Sequence, residues 1–314
     1  MAKKTHYKRN IKTIEQATKD FLAQSKPKLK ESTFARYSFI CERHIIPYFK
    51  DIELYSLNDE AVKNFIQDKL YNGGLTGKPI SAKTVNDMTC LLLQIIKNYC
   101  KLTLDVEKPN YRQNEINIFT EAEYNKLKAY LSIGVDSKKL GIVVAMLTGI
   151  RIGELCALKW DKIDLESGVI FIDKTMQRIK VTAGIGKAKT KIIIDTPKSS
   201  TSIRKIPIPS ILLSKLESFR ASQNAYLLTN TTDYIEPRIY QRHFKSYLQA
   251  CTIKDNNFHT LRHTFATLAI SIGMDIKTLS LLLGHTDVSF TMKRYVHPSM
   301  EHKRSQIEKL AIRF

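Results

Sequence analysis

His259 and Arg262 stand three positions apart in HTLRH, His285 follows Gly284 in LLLGH, and Tyr295 lies between Arg294 and Val296. A His-x-x-Arg pair on a helix projects from one side of it. A guanidinium grips two phosphate oxygens at once, and an imidazole can move a proton near neutral pH. A phenol becomes a usable nucleophile when neighbouring cations lower its pKa from near 10. These parts suit work on a phosphate. Cleaving a phosphodiester needs a nucleophile, neutralisation of the non-bridging oxygens and a proton for the leaving oxygen. His259 and His263 are spaced i, i+4, but no Glu stands between them and no downstream carboxylate is well placed. Arginines rather than a metal are therefore expected to carry the charge.

Upstream, TGIRIGELCALKW sets Arg151 between Gly149 and Gly153. Glycines on both sides are expected to let the backbone turn sharply and a phosphate approach. Glu154 reads as a buried partner rather than an acid, and Trp160 as core at helical spacing from Leu155 and Leu158.

The elements that must position these residues fall into two groups. Residues 1–10 read as a basic arm. Four helical patterns follow over 11–105: Ile14, Ala17, Phe21 and Leu22; then Phe34, Tyr37, Cys41 and Ile45 after Ser32 as N-cap; then Val62, Phe65, Ile66 and Leu70 after Asn58; then Val85, Met88, Leu92, Ile95, Ile96 and Tyr99 after Ser81. Asn72–Pro79 is a turn-rich loop and 106–117 a polar linker. Thr120 with Glu123 is a capping box that opens a second domain over 118–314. Another helix follows from about Ser137 to Leu147 and stops at Thr148-Gly149. VIFID (169–173), KIIIDT (191–196) and IRKIPIP (203–209) are β-branched runs that predict one small antiparallel sheet. Helices return from Ser210. In the run after His259, Ala266, Leu268, Ala269 and Ile272 are expected to form the apolar face, and Gly284 closes the helix Ile276 to Leu283.

The 314 residues carry 50 Lys+Arg against 30 Asp+Glu, a net charge of +20. Charge of this size, dispersed along the chain, points to a polyanion, and to nucleic acid more than to a membrane. The longest apolar runs are far too short to span a bilayer, and the basic N-terminus has no apolar stretch behind it. The scattered, odd-numbered cysteines offer neither a zinc template nor a disulfide framework, and suit small buried side chains in a reducing, cytoplasmic compartment.

Taken in order, TGIRIGELCALKW, PKSSTSIRKIPIP, HTLRH, LLLGH and MKRYVHP resemble the tyrosine recombinase (phage integrase) family, across essentially the whole second domain. The resemblance implies a mainly α fold with a small antiparallel β-sheet: a helical, SAM-like core-binding domain followed by the catalytic domain. It implies that Tyr295 attacks DNA to leave a 3′-phosphotyrosyl link, that Arg151 and Arg262 clamp the scissile phosphate, and that His259 transfers a proton. It further implies that His285 binds the phosphate and that Lys198, in a hairpin turn before Ile203-Arg204, protonates the leaving 5′-oxygen. Lys187, Lys189 and Lys191 are runners-up for that acid, each more readily a solvated strand face touching phosphates. His263 and His297 have no role in the pattern, and packing or capping is expected of them. No cofactor, metal or ATP is implied. The partners implied are double-stranded DNA, three further copies of the chain in a homo-tetramer on paired sites, and DNA-bending or directionality proteins. The amphipathic segment 300–314, with Ile307, Leu310 and Ala311 on one face, is a candidate arm toward a neighbouring copy. Arg36, Lys83 and Thr84 in the first domain, and Arg238 and Arg242 in the second, are candidate DNA contacts. The expected function is site-specific recombination that integrates or excises a mobile element. A Xer-like resolvase of the same family and a non-catalytic DNA-binding protein are the alternatives.

Overall fold

The computed structural model describes residues 13–73, 77–100, 102–111, 116–181, 190–197, 199–295, 300, 304, 307–308 and 311. The chain divides into two compact units, Met1–Asn114 with Ile179–Lys191, and Glu115–Arg178 with Ile192–Phe314.

The first unit is a helical cluster. Helix α1 (Ile14–Ser25) is capped by the Thr13 hydroxyl, which accepts from the Gln16 amide at 3.2 Å. Helix α2 (Glu31–Ile40) runs through a π turn (Cys41–Ile45) into α3 (Ile46–Phe49). Ser32 does not cap it. Lys30 holds that position without a side-chain capping bond, and Ser32 lies inside the first turn. The π turn has a local cause: Pro47 has no N–H to donate backward, and the Ile46 amide reaches five residues back to Cys41. Helix α4 (Asp59–Tyr71) starts at Asn58, whose side chain accepts from the Ala61 amide at 2.9 Å. Ser81 caps α5 (Ala82–Cys100), accepting from the Thr84 amide. The predicted stripes of α1, α4 and α5 meet Phe49 and Ile45 in one apolar core, with Leu70 half-buried at its edge. Cys90 is exposed, against the expectation of buried cysteines. Within this unit Lys191 pairs with Glu31, which gives that lysine an ionic partner. Lys187, Lys189 and the arm 1–10 lie outside the described residues.

The second unit is built on α7 (Ser137–Thr148), which buries Leu140, Ile142, Val144 and Ala145 completely. Around it lie α6 (Glu121–Ser132), opened by the Thr120–Glu123 capping box, α8 (Ile152–Ala157), α9 (Ser210–Ser218), α10 (Pro237–Ala250) and α11 (His259–Ser271). Tyr240, Phe244 and Phe258 fill the centre, with Trp160 at the edge bonded to Asn230. Trp160 lies in a 3-10 turn, so its burial owes nothing to helical spacing from Leu158. Two further helices, α12 (Ile276–Leu283) and α13 (Val288–Tyr295), pack on α11 over Ala266, Ala269, Leu279 and Leu283. Leu268 and Ile272 are exposed and not part of that face. The helix turns Ala266 and Ala269 inward, and small side chains there let the three helices approach closely.

The single predicted sheet is two. Strands β1 (Ile163–Asp164), β2 (Val169–Ile172) and β5 (Arg204–Pro207) form one antiparallel sheet, with Ile170 opposite Ile206. Strand β4 (Thr190–Asp195), expected in that sheet, instead pairs with β3 (Thr175–Lys180), a run too polar to read as a strand. Strands β4 and β5 therefore lie in different sheets and are not paired with each other as a hairpin, and a 3-10 turn (Ser200–Ser202) precedes β5.

Candidate active site

Arg151, Arg262 and His285 come together at the C-terminal end of α12. Gly284, in the left-handed region at φ 63°, ends the helix: the His285 amide bonds to Ser280 and the Gly284 amide to Leu281. The next three carbonyls have no helical donor. Each is taken by a different arginine. Arg204 Nε donates to Leu282 O at 2.6 Å, Arg262 Nη2 to Leu283 O at 2.6 Å, and Arg151 Nη2 to Gly284 O at 3.2 Å. The partial negative charge at a helix C-terminus favours cations there. A carbonyl holds a guanidinium without cancelling its charge, and of the three only Arg262 has no carboxylate partner among the described residues.

Glu154 is the one carboxylate among them. It is 2% exposed, accepts from Arg151 Nη1 at 2.7 Å and forms a fork with Arg204 at 2.9 and 3.1 Å. Burial pushes its pKa up, but the bond and charge of Arg204, then the charge of Arg151, outweigh this and hold it below the usual carboxylate value. The expectation of a buried partner stands. Its main partner, Arg204, was not anticipated. The signal was present: Arg204 alternates with Ile206 on the buried face of β5, and a cation on such a face requires a partner.

Arg262, 2% exposed, reaches from α11 to Gly149 O at 2.8 Å as well as to Leu283. Its Nη2 lies 2.9 Å from His285 Nε2. A guanidinium only donates, so Nε2 accepts. The proton of the neutral ring is then on Nδ1, which donates to the buried Thr291 hydroxyl at 2.7 Å. Burial and then Arg262 and Arg151 lower the pKa of His285 to about 3. His259, at the first turn of α11, is exposed at its edge, yet surrounding protein and then Arg262 and Arg151 hold its pKa below the imidazole range. Gly149 makes the expected sharp turn, at φ 64°. Gly153 does not face a phosphate: a Cβ there would stand 2.6 Å from the Met176 carbonyl, so it serves close packing on β3.

Tyr295 ends α13 and is 8% exposed. Its hydroxyl lies 2.8 Å from His263 Nδ1, and the rings of His263 and His259 meet edge-on at 5.3 Å. Neither packing nor capping, the uses expected of His263, describes a ring bonded to the phenol. Burial raises the pKa of Tyr295, opposed by the charges of Arg262, Arg294 and Arg151. Lys198 and His297 lie outside the described residues. Of the candidate DNA contacts, Arg36 pairs with Asp87 and the Thr84 hydroxyl with Ser81, while Lys83, Arg238 and Arg242 are exposed.

The phage integrase family model matches residues 117–302, and that of the phage integrase N-terminal SAM-like domain matches residues 13–70. The chain belongs to the phage integrase family. Members of this tyrosine recombinase family cut and rejoin DNA at specific sites, and that is the enzyme class of the chain. A XerC-like tyrosine recombinase of Caldanaerobacter subterraneus subsp. tengcongensis is 31% identical over 90% of the chain and 78% of its own length. The ICEBs1 integrase of Bacillus subtilis is 23% identical over 92% of the chain and 80% of its own length. Among solved structures, the Tn1549 transposon integrase in complex with transposon right-end DNA shares the fold at a TM-score of 0.73 and 20% identity, covering 95% of this chain and 99% of that one. A lambda integrase dimer bound to a core site shares it at 0.65 and 15% identity, covering 92% and 97%. Among the described residues no helix is long and apolar enough to cross a membrane.

Proposed function

We propose that this recombinase acts on duplex DNA with Tyr295 as nucleophile and integrates or excises a mobile element. Arg151 and Arg262 hold the non-bridging oxygens of the scissile phosphate, His285 and His259 complete its hydrogen bonding and proton transfer, and Lys198 protonates the leaving 5′-oxygen. The observation that carries this reading is the cluster of arginines gathered on one helix end, in the same unit as the buried phenol of Tyr295. Arg151 and Arg262 keep further N–H groups for a ligand after these bonds, and their charges favour the phenolate that attack requires. Attack joins Tyr295 Oη to phosphorus and releases a 5′-hydroxyl. The phosphotyrosyl ester keeps the energy of the broken bond, so rejoining needs no nucleotide.

A homo-tetramer on paired sites and a cytoplasmic setting belong to the same proposal. Ile307 and Ala311 of the C-terminal segment are exposed, as an arm toward a neighbouring copy requires. The similarity to an integrative-element integrase over nearly the whole chain supports a mobile element. The XerC-like relative supports a second reading, a resolvase of the same family. An attachment site or element cargo in the DNA flanking the gene decides between them. The chemistry is tested with a nicked suicide substrate. Wild type is expected to form a covalent adduct, and Tyr295→Phe to form none while binding DNA as before. An undiminished adduct from Tyr295→Phe would sink the assignment.

A further inference from the structure

We infer that His263 is a catalytic residue of this site, the base that takes the phenolic proton from Tyr295 as it attacks DNA and returns it on rejoining. The inference rests on the reading of Tyr295 as nucleophile. His263 Nδ1 lies 2.8 Å from the hydroxyl, the distance from which a proton can pass without rearrangement. No other side chain among the described residues is bonded to that oxygen, and the phenol is enclosed with His263 beside Ala266, Ala269, Leu279 and Leu283. The charged and titratable groups facing the ring are His259 and Arg262 on its own helix, and Arg294 and Tyr295 on α13.

Burial and then His259, Arg294 and Arg262 lower the pKa of His263 to about 4. The ring is therefore a free base at neutral pH, while burial keeps the phenol protonated. With the phenol as donor, Nδ1 is the acceptor and the ring proton is on Nε2. In the forward step the Tyr295 Oη–P bond forms, the P–O5′ bond breaks and the phenolic proton passes to Nδ1. The 5′-oxygen takes a proton from a separate acid, the role proposed for Lys198. Rejoining reverses each transfer. This narrows the role proposed for His259 from proton transfer to hydrogen bonding of the phosphate.

The test uses the full chain and a suicide substrate with sulfur in place of the 5′-bridging oxygen. Thiolate leaves without a proton, so the pH dependence of adduct formation reports the nucleophile alone. His263→Asn keeps a hydrogen-bonding group near the position of Nδ1 but cannot hold a proton. The expected wild-type single-turnover rate is nearly flat from about pH 6 to 9, since His263 removes the proton throughout. The Asn variant is expected to be about 10²–10⁴-fold slower near pH 7 and to accelerate about tenfold per pH unit, as the phenol must ionise on its own. DNA affinity and the thermal unfolding midpoint are measured alongside, and His263→Gln replaces the Asn variant if that one does not fold. A variant that cleaves at the wild-type rate, or is slowed equally at every pH, reduces His263 to a positioning group and overturns the inference. If wild type forms no adduct at all, the assignment of Tyr295 fails first and takes this one with it.

Discussion

At the scale of single residues, the site is governed by where positive charge is tolerated. Glu154 bonds to both Arg151 and Arg204, so it fixes two guanidiniums with one carboxylate. Glu154→Gln leaves Arg204 buried without its counter-charge, and denaturant unfolding should show a loss of about 3–5 kcal/mol. Protonation acts in the same direction through the histidines. His285 and His263 have folded pKa values of about 3 and 4, below the ordinary 6.5 that they regain on unfolding. The unfolded chain therefore binds more protons below pH 6.5. Stability should be level above about pH 7 and fall as pH drops toward 4, and the urea midpoint followed over that range checks the sign. Replacing His285 by Asn should flatten part of the slope. Individual residue types were informative here only when they were odd for their surroundings. Arg151 between glycines and the His-x-x-Arg spacing declare themselves. Arg204 does so only once β5 is known to bury alternate residues, and His263 only once α13 is folded back on α11.

At the scale of elements, the helices were legible because each carries its own period and cap. Thr13, Asn58, Ser81 and Thr120 mark starts that need no distant partner. Ser32 misled because a hydroxyl near a helix start is only one way to open a helix, and α2 opens at Lys30 with no side-chain capping bond. Sheet pairing is a different problem. The apolar runs of β2, β4 and β5 look alike, and nothing local says that β4 pairs with the polar β3 and leaves β2 to β5. The decision rests on partners distant in sequence, which a strand's own residues do not encode. The end of α12 offers a test at this scale. A Cβ on Gly284 would lie 3.1 Å from the Arg204 side chain and 3.2 Å from Ser202 Cα, at a backbone angle that costs an L-residue about 1–2 kcal/mol. Gly284→Ala should lower the unfolding midpoint and reduce covalent adduct formation more than DNA binding.

At the scale of the whole chain, the net charge of +20 is a statement about the partner and not about the fold. Phosphate contacts release counterions, so affinity for duplex DNA should drop by a factor on the order of 10³ or more between 50 and 200 mM salt. Filter binding at several salt concentrations measures this, and Tyr295→Phe should give the same slope. Choice of target sequence belongs to base contacts and DNA deformability, which neither composition nor charge encodes.

The three carbonyls at the end of α12 also set how the site can fail. Arg151 caps the start of α8, Arg204 belongs to β5 and Arg262 to α11, yet all are tethered to consecutive peptide groups. A local opening that unwinds this one turn takes a bond from every guanidinium in the same event and displaces His285 directly behind it, leaving Arg151 and Arg204 on Glu154 and Arg262 on Gly149 O. The phosphate site should thus loosen as a unit, and protection of these amides reports the free energy of that opening. Hydrogen exchange at Gly284 and His285 should therefore slow together when DNA binds.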